Sequence, residues 1–201
     1  EAGFTDAVVV ASNDLDEGII ASLKDQGAKI AVWGVGTKLV TAYDQPALGG
    51  VYKLGAMKND TGEWEPKVKL SEQAIKTSIP GMLQVRRFRN SEGAVADMIY
   101  NQLEGEATGR VMVDPQDPTQ QHPLDENLDT EDLLVPVVRD GGVVYQQEQL
   151  GTIRSRTEQQ LSMFQAGVRR QVQPHPYPVG LEQSLHDLKA RLILRARCSD
   201  V

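Results

Sequence analysis

The sequence predicts an α/β protein in three parts: parallel strands with a connecting helix in residues 1–50, a β-rich segment in 51–148, and helices in 149–201. In the first part, two apolar runs flank a capped helical stretch, which is the pattern of two parallel strands joined by a helix. In the second part, short runs of β-forming residues alternate with turn signals such as Pro80-Gly81. The third part is dominated by helix-forming residues.

The first strand and helix are predicted from local signals. Ala7–Val10 is a Val-rich run suited to a strand that is buried on both faces. Asp14 with Glu17 three positions later has the spacing of a capping box, with Asp in place of the usual Ser or Thr. Gly27 stands where a left-handed glycine ends a helix. The apolar face of this helix recurs at helical spacing: Leu15, Ile19, Ile20 and Leu23.

The second strand, Ala28–Trp33, runs directly into the glycine-rich turn Gly34-Val35-Gly36-Thr37. A Gly-x-Gly turn lets the backbone approach a ligand closely, and its N–H groups with the Thr37 hydroxyl can hold a phosphate. The turn lacks the third glycine of the dinucleotide fingerprint, and Lys38 lacks the spacing of a P-loop. A tight turn without a ligand is the open alternative.

Polar residues also follow the first strand, at Ser12, Asn13 and Asp14. In a parallel α/β barrel, the turns after both strands open on one face, where barrel enzymes bind substrates. These three residues are therefore candidate site residues with Gly34, Gly36 and Thr37. The alternative for Asp14 is an ordinary helix N-cap, and Ser12 and Asn13 could equally be turn residues.

The β-rich segment contains an acidic stretch, which we interpret as a surface loop: Asp114–Asp132 carries seven acidic residues and no Lys or Arg. A hairpin is predicted around Asp140-Gly141, between Leu133–Val138 and Val143–Tyr145. Five further strands are predicted at Val51–Met57, Lys67–Leu70, Leu83–Phe88, Ala96–Tyr100 and Gly109–Asp114.

The last part is predicted to hold two helices separated by prolines. Thr152–Gln165 contains strong helix formers and stops before Gly167. Prolines at 174, 176 and 178 bar a helix there. A final amphipathic helix is marked by apolar residues at helical spacing: Leu181, Leu185, Leu188, Leu192 and Ile193.

Charge and composition narrow the class of partner. The formal net charge is −7, which argues against nucleic acid because phosphate backbones need a basic surface. Outside the acidic stretch, 21 acidic and 21 basic residues balance. We find no apolar run of membrane-spanning length and no secretory signal. A single cysteine, Cys198, favours a reducing compartment and hence the cytoplasm. The chain begins with Glu1 rather than Met, so we expect a piece of a longer protein.

The remaining polar clusters carry weaker signals. The histidines His122, His175 and His186 have no ligand spacing with one another or with Cys198, so no metal site is predicted. Three arginines in a predicted strand are interpreted as a solvated edge: Arg86, Arg87 and Arg89.

Several longer runs together resemble the nicotinate phosphoribosyltransferase family. The tightest part of the resemblance lies in three runs: Ser12–Glu17, Trp33–Thr41 and Asp44–Leu54. It continues in shorter pieces: Pro80-Gly81, Gln84-Val85, Arg87-Phe88, Pro174–Val179 and Arg191–Ile193. The resemblance covers most of the chain, and the acidic stretch departs from it most.

The resemblance implies a fold and an activity. Residues 1–50 would be the late strands of an irregular, TIM-like α/β barrel of the type II phosphoribosyltransferase fold, joined to a smaller β-rich domain. The family forms nicotinate mononucleotide and pyrophosphate from nicotinate and phosphoribosyl pyrophosphate in NAD salvage. The reaction is driven by ATP with Mg²⁺, without a tightly bound cofactor, and the enzyme is usually a dimer.

Carried over by position, the resemblance gives phosphate and ribose contacts to six residues, with Thr37 ranked first: Thr37, Gly36, Gly34, Asn13, Asp14 and Ser12. No catalytic residue is assigned, because the family's phosphorylated histidine matches none of the three histidines. The isolated chain is therefore expected to be inactive. Two alternatives stay open: a non-catalytic partner subunit that reuses the turn, and a relative acting on nicotinamide or quinolinate.

Overall fold

The chain forms two compact units, Glu1–Tyr52 and Lys53–Val201. The structure is a computed structural model, and it describes residues 3–73, 76–105 and 109–198. Across those ranges, none of the helices has both the length and the apolar character that crossing a bilayer requires. We refer to the two parts as unit 1 and unit 2 and describe each by itself.

Unit 1 contains a parallel pair of strands separated by a helix. The elements are β1 (Val10–Ser12), α1 (Glu17–Asp25), β2 (Val32–Gly34) and α2 (Thr37–Val40). The predicted order of strand, helix, strand and glycine-rich turn is confirmed. Both strands are shorter than predicted and begin later, because their pairing starts only where Val9 O accepts hydrogen bonds from the N–H groups of Ala31 and Val32.

Unit 1 buries little apolar surface. Val10 in β1 is 61% exposed and Val32 in β2 is 49% exposed, so the prediction of strands buried on both faces is wrong for this chain. Leu15 is the buried hydrophobic residue of unit 1 within the described ranges. Parallel sheets are normally covered on both faces. Unit 1 therefore presents apolar strand surface of the kind that a complete parallel sheet covers.

Unit 2 is built on a six-stranded mixed sheet in the order β8-β7-β12-β6-β5-β9. Two small antiparallel pairs, β3–β4 and β10–β11, stand outside this sheet. A short 3-10 helix, Gln102–Glu104, follows β6. The bounds of its strands and helices, in chain order, are β3 (Ala56–Lys58), β4 (Trp64–Pro66), β5 (Leu83–Asn90), β6 (Gly93–Asn101), β7 (Val111–Val113), β8 (Gln121–Pro123), β9 (Asp129–Asp132), β10 (Val138–Arg139), β11 (Gly142–Val143), α3 (Leu150–Ser162), α4 (Ala166–Arg169), β12 (Val179–Glu182) and α5 (Gln183–Cys198).

The three later strands predicted for the β-rich segment are confirmed as β5, β6 and β7, and the predicted hairpin is confirmed as β10–β11. The two earliest strands are misplaced, because β3 and β4 directly flank a turn that begins at Asn59. The Asn59 side chain accepts hydrogen bonds from the N–H groups of Thr61 and Glu63, at 3.1 and 2.9 Å. This Asx turn sets where the two strands meet.

The segment expected to be a purely helical C-terminus contributes a central strand. Leu181 lies in β12, which pairs parallel with β6 and antiparallel with β7. The final helix, α5, begins only at Gln183. Leu181 and Leu185 are four residues apart, and that spacing fits a helix although a strand-to-helix junction separates them. Periodicity cannot distinguish a short buried strand from a helical turn.

The core lies on both faces of the sheet, because adjacent residues of a strand point in opposite directions. Met98 in β6 is fully buried in the first cluster, while its neighbour Ile99 packs against the second. The first cluster contains Phe88, Ala96, Met98, Met112 and Leu124. The second, under α5, contains Leu181, Leu185 and Leu188.

The chain that leads into β12 is held by an ionic and aromatic cluster on β5 and β6. Arg87 donates to both carboxylate oxygens of Asp97, at 2.9 and 2.7 Å, and the Tyr177 hydroxyl donates to Asp97 at 2.9 Å. Burial beside this carboxylate raises the pKa of the Tyr177 hydroxyl. Phe164 contacts both partners: its ring centroid lies 5.0 Å from that of Tyr177 and 4.9 Å from the Arg87 guanidinium carbon.

The interpretation of the arginines as a solvated edge is wrong. Strand β5 lies between β6 and β9 in the sheet, and all three arginines have acidic partners. Arg86 pairs with Asp132 at 2.8 Å, and Arg89 pairs with Glu131 at 3.2 Å. The basic strand thus lies between acids of β6 and β9.

The interpretation of Asp114–Asp132 as a loop is wrong over two stretches, because they form the edge strands β8 and β9. In β9, the acidic residues stand opposite the arginines of β5, with Asp132 paired to Arg86 and Glu131 to Arg87 in register. Opposite charges on adjacent strands stabilise such a pair. The charge pattern that suggested a loop is therefore part of a strand pairing.

One prediction concerns the pH dependence of the Arg86–Asp132 pair. The Arg86 hydrogen bond holds the pKa of Asp132 below its ordinary value. A carboxyl group with a lowered pKa in the folded state adds stability above its unfolded pKa, and this stability is lost as the pH falls through the folded pKa. We expect Asp132→Asn to lower the free energy of unfolding at pH 7 by less than about 1 kcal/mol, because the pair is partly exposed.

That difference should shrink as the pH falls from about 4 through the lower folded pKa of Asp132, because only below the folded pKa is the wild-type carboxyl protonated in both states. Urea unfolding followed by circular dichroism at pH 7 and at pH 2 measures it. Thr130→Ser, in the same strand, is the matched control, because it changes no charge, and any effect it has should be the same at both pH values. An Asp132→Asn difference of equal size at both pH values would contradict the account.

Candidate functional site

The six candidate residues lie in two turns at one end of the β1–β2 pair. Parallel pairing places Ser12 opposite Gly34, so the two chains leave the strands at the same edge. Asn13 and Asp14 follow β1, and Gly36 and Thr37 follow β2. All six residues are exposed. The structure therefore brings these residues to one edge with their polar groups accessible.

The turn after β1 has an unusual backbone. Asn13 and Asp14 have positive φ values of 84° and 47°. L-residues disfavour this left-handed region, and Asn and Asp tolerate it better than other side chains. Two consecutive left-handed residues fix a sharp change of direction directly after the strand. Such conformations occur often at ligand sites.

Helix α1 is capped by a different residue from the one expected. The Asp16 carboxylate accepts a hydrogen bond from the Ile19 N–H at 2.8 Å, which makes Asp16 the N-cap. The prediction that Asp14 caps this helix is wrong, since its left-handed backbone places it in the turn. Gly27, with φ of 78°, follows the helix as predicted.

The two glycines of the second turn differ in their surroundings. A Cβ on Gly34 would lie 3.2 Å from the Cβ of Ser12, so glycine allows the two strand ends to approach closely. A Cβ on Gly36 would meet no atom within 4 Å. The turn is thus packed against β1 at Gly34 and open at Gly36.

The second turn has hydrogen-bond donors to spare. The carbonyl of Gly36 accepts from Leu39 and Val40, and the carbonyl of Thr37 accepts from the N–H and hydroxyl of Thr41. Among residues 3–73, 76–105 and 109–198, the N–H groups of Gly36 and Thr37 and the Thr37 hydroxyl have no acceptor. Three donors at an open turn are suited to a phosphate or another oxyanion.

A charged pair missed by the sequence reasoning stands beside the two turns. Lys38 Nζ donates to the Asp16 carboxylate, and it also lies 5.5 Å from the ring centroid of Tyr43. The hydrogen bond from Lys38 lowers the pKa of Asp16, and the same bond raises the pKa of Lys38. The available signal was the position of Lys38 directly after Thr37, but nothing in the sequence paired it with Asp16.

A cavity of about 470 Å³ lies next to this pair, within unit 1. Its walls include Leu15, Val35 and Tyr43, together with the side chains of Asp16 and Lys38. None of the six candidate residues lines it. The cavity therefore borders the turns without including them.

The three histidines lie in a different unit from the two turns. All three belong to unit 2, where His122 lies in β8, His175 follows α4 and His186 lies in α5 beside Asp187. In the part of the chain that the structure describes, no three His, Cys, Asp or Glu side chains converge closely enough to hold a metal ion.

The chain is similar in sequence to known proteins of one enzyme family. The family model of the nicotinate phosphoribosyltransferase C-terminal domain matches residues 84–189, more than half of the chain. The nicotinate phosphoribosyltransferase of Bacillus subtilis is 38% identical over 212 residues, covering 96% of this chain and 41% of that protein. The enzyme of Caenorhabditis elegans is 34% identical and covers 96% of this chain and 34% of its own length.

A solved structure gives the same answer. The crystal structure of human nicotinic acid phosphoribosyltransferase matches with a TM-score of 0.67 at 25% sequence identity, covering 93% of this chain and 33% of that one. The α/β fold and the sequence matches together place the chain in the phosphoribosyltransferase class of proteins. Within that class, the chain belongs to the nicotinate phosphoribosyltransferase family. It spans about two-fifths or less of the length of these relatives.

A prediction follows from the left-handed backbone at Asn13. We expect Asn13→Gly to leave the stability of unit 1 unchanged or slightly higher, since glycine adopts positive φ freely. Asn13→Val should lower it by about 1 kcal/mol or more, because a β-branched residue fits this conformation poorly. Thermal unfolding followed by Trp33 fluorescence, in a Trp64→Phe background, reports on unit 1. Equal stability of the Gly and Val variants would show that this backbone is not required.

Proposed function

We propose that the protein containing this chain forms nicotinate mononucleotide and pyrophosphate from nicotinate and phosphoribosyl pyrophosphate, using ATP, as a step of NAD salvage in the cytoplasm. The observation that carries the proposal is the family match over residues 84–189, together with the glycine-rich turn of unit 1. No feature of the described residues favours a non-catalytic subunit or a nicotinamide or quinolinate enzyme.

The part of the reaction assigned to this chain is the binding of the ribose 5-phosphate. The N–H groups of Gly36 and Thr37 and the Thr37 hydroxyl would donate to phosphate oxygens, and charge-assisted hydrogen bonds of this kind are strong. Gly34 permits the close approach of the two strand ends. The oxygens of Ser12, Asn13 and Asp14 at the same edge would accept hydrogen bonds from the ribose hydroxyls.

Firm binding of the phosphate and ribose contributes to the rate by orientation. Displacement at an anomeric carbon builds positive charge on the sugar, and an enzyme favours it by holding the reacting groups in line. In this proposal, the two turns of unit 1 hold one end of the substrate, and no residue of this chain is assigned to its activation. ATP and Mg²⁺ enter as a co-substrate and its ion, and neither is assigned to a residue of this chain.

Two further parts of the proposal concern architecture. Residues 1–50 would be the late strands of a barrel, 51–148 a smaller β-rich domain and 149–201 its C-terminal segment, with the protein acting as a homodimer. The exposed apolar faces of β1 and β2 support the barrel, because further parallel strands and helices would cover them. The share of the relatives' length that this chain spans is consistent with that assignment.

Thr37→Ala tests the phosphate site. In calorimetric titration of the 201-residue chain with phosphoribosyl pyrophosphate, we expect the variant to bind roughly tenfold more weakly, because one hydrogen bond to a charged oxygen is lost. Thr5→Ala, also exposed in unit 1, is the matched control and should bind like the wild type. Absence of binding by the wild type, or equal affinity of Thr37→Ala and wild type, would contradict the proposed site.

A further inference from the structure

We propose that Lys38 is a positioning residue that, through Asp16, fixes the turn after β2 relative to the turn after β1. We call this pair the Lys38–Asp16 clasp. What the two turns bind rests on the proposed function, but the clasp itself does not. It is a contact between side chains that lie next to the candidate residues without belonging to them.

The geometry gives the two oxygens of Asp16 separate partners. Oδ1 accepts the N–H of Ile19 at 2.8 Å and so fixes the start of α1. Oδ2 accepts a hydrogen bond from Lys38 Nζ. A single carboxylate therefore joins the beginning of α1 to the residue that directly follows Thr37.

Two kinds of contact join the two turns in the described residues. The first is the backbone pairing of β1 and β2, and the second is the side-chain hydrogen bond of the clasp. Asp16 lies two residues after the left-handed Asp14, and Lys38 lies one residue after Thr37. Restraint at these positions is transmitted over one or two residues to the proposed phosphate and ribose contacts. The Tyr43 ring, 5.5 Å from Nζ, further limits where the ammonium group can move.

Because the pair is only partly buried, we expect it to restrain the positions of the two turns more than it stabilises the folded chain. The side chains of Lys38 and Asp16 are 27% and 26% exposed. Pairs that remain in contact with water add little to the free energy of folding. A fixed spacing between two ligand-contacting turns, by contrast, bears directly on affinity because it removes disorder that binding would otherwise have to overcome.

A direct contact between Lys38 and the phosphate is the competing role, and a pair of variants separates the two. Asp16→Asn keeps the helix cap, because Asn is an equally good N-cap, but it removes the charge that holds Lys38. If Lys38 contacted the phosphate directly, this variant would leave binding unchanged or strengthen it. If the clasp positions the turns, Asp16→Asn and Lys38→Met weaken binding alike.

The experiment uses the 201-residue chain and two readouts. In ¹H–¹⁵N spectra without ligand, we expect the amide signals of Asn13, Gly36 and Thr37 to shift in both Asp16→Asn and Lys38→Met, and to stay close to wild type in Lys38→Arg. Lys29→Met, an exposed lysine of unit 1, is the matched control and should leave them unmoved. Unchanged amide signals of Val10 and Val32, in the β1–β2 pair, confirm that unit 1 of each variant is folded.

In titrations with phosphoribosyl pyrophosphate, each single variant should bind about threefold more weakly, and the double variant no more weakly than either. Unmoved turn amides in both variants would overturn the clasp, whatever the affinities. Loss of affinity in Lys38→Met but not in Asp16→Asn would also overturn it. Shifted amides in a chain that does not bind the ligand would support the clasp and contradict the proposed function.

Discussion

The position of β12 between β6 and β7 is the constraint on which unit 2 depends. Among the strands that the structure describes, β12 is the one that joins β7 and β8 to the rest of the sheet. The strand comes from near the end of the chain and pairs with residues about 80 positions earlier, such as Leu181 with Ile99. Its approach is fixed by the Asp97 N–H, which donates to Pro178 O at 3.0 Å, and by the cluster of Arg87, Asp97 and Tyr177. The second core cluster exists because β12 leads directly into α5.

Unit 1 has the opposite character, with a defined backbone and little core. Its polar turns are specified by parallel pairing, by two left-handed residues and by glycines, all of which act over a few residues. Its strand faces stay exposed because none of the residues described in this unit, from position 3 onward, covers them. The conformation of the two turns can thus be set by nearby residues, while the stability of the strands that carry them depends on further packing against their exposed faces. Parallel strands that lack covering layers expose both apolar surface and free edges.

The sequence predicted those features that depend on neighbouring residues. The βαβ order, the turn at Gly34–Thr37, the end of α1 at Gly27 and the Asp140-Gly141 hairpin all follow from local pattern. The features that depend on distant partners were missed: β12 as a central strand, the pairing of Arg86 and Arg89 with β9, and the pairing of Lys38 with Asp16. Asp14 has the spacing of a helix cap in the sequence, but Asp16 caps α1, and only the backbone angles and the hydrogen bond from Ile19 N–H show this. The family resemblance supplied candidate contacts that local pattern left open.

The central claim is that pairing with β12 stabilises unit 2, whereas unit 1 buries little apolar surface. Amide hydrogen exchange on the 201-residue chain is its most direct test. Exchange reports local opening, and buried, paired strands open least. We predict that the amides of β6 and β12 are the most protected in the chain and lose protection together, while those of β1 and β2 exchange much faster. Protection of β1 and β2 equal to that of β6, or rapid exchange in β12 while β6 stays protected, would contradict the account.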